Sequence, residues 1–196
     1  MKVVCVNNKF SGLSKNLQSI YLSKGRDLNS TLENITISKT YVVYASNPVN
    51  GDLGYFICND ATESYPRWCP SGFFKVIDSR LSRYWIASLQ EDDEAKTSLF
   101  LVFPEWANEE YFYNNLIDGE EREIDLFKKY KQLMDLEFPD PAITQAAQIG
   151  DADWLICPSC IDAWRNSNVE DALVICPTCR ETFCNPRYTN AFPRAN

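Results

Sequence analysis

At 196 residues with 45% hydrophobic side chains, the chain is long enough to bury a real core in one or two domains. It has no histidine, which removes the commonest general base, the Ser-His and Cys-His nucleophile pairs and imidazole metal sites; no Gly-rich phosphate loop, Gly-x-Ser-x-Gly turn or Walker lysine takes their place, so the chain reads as a non-enzyme. The net charge of −8 is uneven, with 10 Lys+Arg against 6 Asp+Glu in residues 1–90, 5 against 15 in 91–140 and 4 against 6 in 141–196, a balance that argues against nucleic acid, whose phosphates call for Lys and Arg.

The N-terminus, Met1-Lys2-Val3-Val4-Cys5-Val6-Asn7-Asn8, turns polar before a signal-peptide apolar region can form. No apolar run approaches the roughly eighteen residues of a membrane span, so the expectation is a cytoplasmic protein with no membrane partner. Eight cysteines in a reducing compartment then read as free thiols and metal ligands.

Residues 1–80 read as a small β-domain. Strands are expected at Lys2 to Val6, Ile35 to Tyr44, Gly54 to Asn59 and Phe73 to Ile77, with a polar insertion from Ser11 to Leu32. Asn47-Pro48, Asn50-Gly51-Asp52 and Pro70-Ser71-Gly72 mark reversals. The runs Ile37 to Tyr44, Gly54 to Asp60 and Tyr65-Pro66-Arg67-Trp68 leading to Phe73 to Ile77 resemble the short SH3-like barrels of small bacterial and phage proteins, which implies a scaffold or binding face. Cys5, Cys58 and Cys69 have no Cys-x-x-Cys partner and are expected to be buried thiols.

Residues 81–152 form an acidic α/β middle region. Tyr84 to Ile86 and Ser98 to Phe103 read as a strand pair around Glu91-Asp92-Asp93-Glu94, a turn whose charges cannot be buried together. Pro104-Glu105 opens a helix running to about Ile117. Asp118 with Glu121 forms a capping box for a second helix, about 120 to 137, on which Ile124, Phe127, Tyr130, Leu133, Met134 and Phe138 make an apolar stripe. Asp140-Pro141 caps a third, short helix to about Gln148, ended by Gly150. Trp106, Tyr111, Phe112 and Tyr113 beside Glu109 and Glu110 have two readings, the core and wet faces of one helix or a surface for a basic partner. Paired acids such as Glu120-Glu121 read as solvated rather than catalytic.

In residues 153–196, Cys157-Pro158-Ser159-Cys160 and Cys176-Pro177-Thr178-Cys179 stand fifteen residues apart. Two such turns can aim four sulfurs at one point, the spacing of a structural Zn²⁺ site. A disulfide inside either pair would close too short a loop to constrain the unfolded chain, and two adjacent redox motifs have no purpose. Four thiolates leave no open coordination position, so the metal is a staple. Cys184 either replaces a ligand or packs beside the site. Each pair is entered from a strand-like run, Trp154-Leu155-Ile156 or Ala172-Leu173-Val174-Ile175, and the segment resembles a zinc ribbon. The fold expected is thus α+β: an N-terminal SH3-like barrel, a central strand pair with two to three helices, and a C-terminal zinc ribbon.

A histidine-free protein with a strongly acidic middle and mixed β and α parts resembles bacterial immunity proteins of polymorphic-toxin and contact-dependent inhibition systems. The resemblance implies a non-catalytic inhibitor that neutralises a cognate basic toxin domain, often a nuclease, through acidic side chains. The contact is expected within Glu91 to Asp125, on Glu91, Asp92, Asp93, Glu94, Trp106, Glu109, Glu110, Tyr113, Asp118, Glu120 and Glu121. The alternative is a zinc-ribbon nucleic-acid-binding or assembly module using Arg165, Arg180, Arg187 and Arg194 with Trp164 and Tyr188, though Asp162, Glu170, Asp171 and Glu181 offset those arginines.

Overall fold

The computed structural model describes residues 1–23, 32–49, 52–91, 97–138, 140 and 142–189. Among the described residues, thirteen strands and four α-helices are arranged as an α+β protein with several separate sheets. By its internal contacts the chain divides into two units, Met1–Lys131 and Gln132–Asn196.

In the first unit, β1 (Lys2–Cys5) lies between β2 (Thr40–Val42) and β6 (Phe74–Asp78), antiparallel to both. A second antiparallel sheet runs β5-β4-β3-β8-β7, built from β3 (Ala45–Val49), β4 (Asp52–Ile57), β5 (Arg67–Pro70), β7 (Ile86–Glu91) and β8 (Thr97–Val102). The strands expected to make an SH3-like barrel are therefore divided between two sheets, and among the described residues no closed barrel forms. Val3, Cys5, Tyr41, Val43, Tyr55, Ile57, Cys69 and Phe73 are buried in a shared core. Burying side chains of this size contributes about 1.5–3 kcal/mol each, which is what holds strands as short as β2 in place.

Two local expectations differ from the structure. The polar insertion contains a helix, α1 (Lys15–Ser23), whose Leu17 and Tyr21 pack on that core together with Leu13; the spacing of four residues puts them on one helical stripe in an otherwise polar segment. Its Tyr21 hydroxyl donates to buried Asp52 at 2.9 Å, giving that carboxylate a partner. Asn47-Pro48 is not a reversal, since Pro48 pairs with Leu53 inside β3. Proline is accommodated because β3 meets β8 only at Ser46↔Leu101, leaving the Pro48 end of that edge without a ladder to interrupt. Val49 pairs with Asp52, while Asn50 and Gly51 of the expected Asn50-Gly51-Asp52 reversal lie outside the described residues. Gly54 has a packing cause of its own: a Cβ there would meet the Trp68 indole at 1.9 Å.

The helix expected from Pro104 to Ile117 is broken in two, α2 (Pro104–Asn108) and α3 (Phe112–Asp118). The break lets Trp106 and Tyr113 stack at 5.2 Å with ring planes 1° apart, and lets Phe103, Phe112 and Trp106 pack into one aromatic cluster against Phe56 and Phe100 of the five-stranded sheet. Asp118 ends α3 instead of capping the next helix. Gly119, at φ 93, reverses the chain, with its own N–H donating to Leu116 O and the Glu120 N–H to Asn115 O. Then α4 (Glu121–Glu137) runs with Phe127, Tyr130, Met134 and, just past its end, Phe138 buried, as the stripe predicted; Ile124 and Leu133 are half-buried.

In the second unit, residues 142–149 are not the third helix expected. Gln148–Ile149 is β9, paired with β10 (Trp154–Ile156), which also pairs with β11 (Ala163–Arg165). Ala146 bridges Cys184 of β13 (Thr182–Cys184), whose other neighbour is β12 (Leu173–Ile175). The Cys184 N–H donates to Gln145 O at 2.8 Å and the Ala147 N–H to Cys184 O at 3.1 Å. Long-range pairing satisfies the backbone groups that a short helix would have satisfied locally, so tertiary context overrides the local preference.

Candidate metal centre

The turn between β10 and β11 carries Cys157 and Cys160, and the turn between β12 and β13 carries Cys176 and Cys179. The four sulfurs lie within 4.8 Å of one another. Cys157 Sγ is 3.6 Å from Cys179 Sγ, and Cys160 Sγ is 3.7 Å from Cys176 Sγ. Tetrahedral zinc with Zn–S of about 2.3 Å requires sulfurs about 3.8 Å apart, so the donor set fits a Zn²⁺ ion in number, element and spacing. The four cysteines expected as ligands are the four that converge. Cys184 is not among them; its thiol donates to Ile143 O at 3.0 Å.

Residues 154–165 and 173–184 align one to one, and so does their backbone. Cys157 N–H donates to Asp162 O at 2.8 Å and Cys176 N–H to Glu181 O at 2.9 Å; Ile161 N–H donates to Cys157 O and Arg180 N–H to Cys176 O, both at 3.0 Å. Ile161 and Arg180 occupy the left-handed region at φ 63 and 65. A β-branched residue rarely adopts that conformation, and its recurrence at the matching position shows that the turn imposes it. Equivalent residues also fill the small core around the site: Leu155 with Val174, Cys157 with Cys176, and Trp164 with Phe183. The repeat was open to view as Ile-Cys-Pro-Ser-Cys and Ile-Cys-Pro-Thr-Cys, each followed two residues on by an acid and two further by an aromatic residue.

Two of the thiols are displaced from the usual thiol range by their surroundings. Burial raises Cys176, but the N–H groups of Cys179 and Thr178 and the neighbouring thiols bring it down to about 7. At Cys179 the Glu181 N–H lowers the value, while burial and the thiols of Cys157, Cys176 and Cys160 push it up to about 12. Four thiolates this close repel one another until a dication is placed between them, which couples metal binding to proton release. The lone thiols differ: burial raises Cys5, pushes Cys69 up to about 12, and leaves both inert, whereas Cys58 is half-buried rather than buried.

The residues expected to meet a partner fall into four groups. Trp106 is buried at 3% exposure, and Tyr113 is half-buried with its hydroxyl donating to Pro66 O at 3.0 Å; both are packed inside the aromatic cluster. Burial pushes Tyr113 up to about 12. Glu109 accepts two hydrogen bonds from Arg122 at 2.7 Å, which hold its carboxyl below the usual range. Glu110, Asp118, Glu120 and Glu121 are exposed and make no ion pair among the described residues. Glu91 ends β7, and Asp92, Asp93 and Glu94 lie outside the described residues. Beside the exposed acids, Tyr111 is 62% and Ile117 45% exposed; composition does not separate these from the buried aromatics, because the break in the helix decides which side each faces.

On the ribbon, Arg187 donates to Asn166 O, Ala152 O and Trp154 O, fixing loops rather than presenting charge. Arg165 lies over the Trp154 ring at 5.7 Å, Arg180 is exposed, and Arg194 lies outside the described residues. No described helix is long and apolar enough to cross a membrane. Compared with known protein families, curated proteins and solved structures, the chain has no match among any of the three.

Proposed function

We propose that this chain is a non-catalytic inhibitor of the bacterial immunity type, acting in the cytoplasm by docking an acidic surface on a basic toxin domain, such as a nuclease, with a zinc-stapled ribbon as a structural part. One observation supports this reading above the others: the acids around the Gly119 corner divide by role. Glu105, Glu109 and Glu123 are engaged internally, with Tyr130 and Arg122. Glu110, Asp118, Glu120 and Glu121 have no such partner and stand in solvent. Carboxylates grouped in this way raise the rate of encounter with a basic surface. Tyr111 and Ile117, next in the chain to Glu110 and Asp118, supply exposed apolar area in place of Trp106 and Tyr113, which belong to the core.

The test is co-expression with the toxin domain encoded beside the gene. The parent should protect the host, and the triple reversal E110K/E120K/E121K should fold normally yet lose protection. A triple reversal that protects as well as the parent overturns this reading. A tight, salt-sensitive complex of the parent with DNA or RNA would move the function to the ribbon.

A further inference from the structure

Beyond the ligands, the repeat carries a second correspondence. The Ser159 hydroxyl, in the first Cys-Pro-x-Cys turn, donates to the Glu181 carboxylate just after the second. The Thr178 hydroxyl, in the second turn, donates to the Asp162 carboxylate just after the first. Both hydroxyls occupy the third position of their motif, and both acids occupy the position two past its last cysteine. Each acid also holds its own turn through its backbone carbonyl, Asp162 accepting from Cys157 N–H and Glu181 from Cys176 N–H. The two acids thus join a backbone bond within one turn to a side-chain bond across to the other. Charge does not explain their placement, because a four-thiolate zinc centre is itself negative and disfavours nearby carboxylates. Their hydrogen bonds do: a carboxylate accepting from a hydroxyl makes a short, charge-assisted bond, and groups behind the ligands set how firmly a metal is held.

We infer that Ser159–Glu181 and Thr178–Asp162 are reciprocal positioning pairs that lock the two cysteine turns to each other, so that neither turn can swing its sulfurs off the metal alone. This rests on the four-cysteine zinc reading. It predicts that the pairs govern the rate of zinc loss more than the stability of the fold, since the turns leave the metal one at a time unless they are tied.

The experiment follows zinc transfer from the full-length protein to a chromogenic chelator, alongside the absorption spectrum of the cobalt-substituted protein. S159A and T178A should each release zinc about tenfold faster than the parent, the lower end of what such supporting partners are worth. S159A/E181A should release it no faster than S159A, because both remove the same bond, whereas S159A/T178A should be faster than either alone. S159T, which writes the second turn's hydroxyl into the first, should restore the parent rate. All of these should keep the tetrahedral cobalt spectrum. If S159A and T178A release zinc at the parent rate, or if S159A/E181A is faster than S159A by the full effect of a second independent loss, the pairs do not position the metal. If the parent itself binds no zinc or cobalt, it is the metal reading that fails.

Discussion

Cys160 and Cys176 face each other at 3.7 Å across the candidate site, so losing either removes one of the four sulfurs that a tetrahedral zinc would need. C160S or C176S should abolish stoichiometric zinc and lower the unfolding midpoint, because metal-binding free energy in such sites is folding free energy. C184S, which loses only a bond to Ile143 O, should keep one zinc per chain by metal analysis. A C184S protein without zinc would return Cys184 to the ligand set. A second residue-scale prediction concerns acid. Asp60 feels burial, which raises it, but accepts from Lys39, Thr36 and Tyr41, and the net effect holds its carboxyl below the usual range. A carboxyl depressed in the folded state contributes stability that is full above its unfolded value, about 3.9, and is lost as pH falls from there through its folded value. Urea midpoints measured from neutrality down to acid should fall less steeply for D60N than for the parent; parallel curves would show that the Asp60 network survives protonation.

At the scale of elements, what was legible depended on whether the signal was local. The Cys-x-x-Cys turns announce themselves because four residues and their spacing suffice, and the flanking runs Trp154-Leu155-Ile156 and Leu173-Val174-Ile175 became β10 and β12. The stripe on α4 was legible for the same reason. By contrast, whether residues 142–149 helix or pair depends on Cys184, some forty residues away, and the break between α2 and α3 depends on Phe56 and Phe100 from the five-stranded sheet. That break also bears on the surface: a single helix left Trp106 and Tyr113 open to a core or a partner reading, and the broken one packs them inward. W106A should therefore cost about 3–5 kcal/mol of stability by leaving a cavity in the aromatic cluster, whereas Y111A, at an exposed site, should change the urea midpoint by no more than about 0.5 kcal/mol equivalent. A cheap W106A would mean that the cluster closes over the gap and that its packing constrains the corner less than its geometry suggests.

For the whole molecule, the division into two units has a thermodynamic consequence. The first has its own core, from Val3 to Phe73, and nothing in that core depends on metal; the core of the second includes Cys157 and Cys176 themselves. Removing zinc should thus open residues 154–184 while leaving β1 to β6 closed. Hydrogen exchange read by mass spectrometry should show protection lost in the ribbon on chelation and retained in the strands around Val3 and Ile57. Simultaneous loss in both would mean that the chain unfolds as a single cooperative body and that the staple holds all of it. The same division bears on function, since the exposed acids at the Gly119 corner lie in the unit that keeps its structure. If those acids drive partner capture, association with the toxin domain should slow as salt rises, and Y111A should act on dissociation instead, because charge steers encounter while apolar contact sets residence. The chelated protein should associate at the parent rate. An association rate that collapses on chelation would instead assign the contact to the ribbon, where Arg180 and Arg165, the latter paired with Asp153 at 3.8 Å, are exposed.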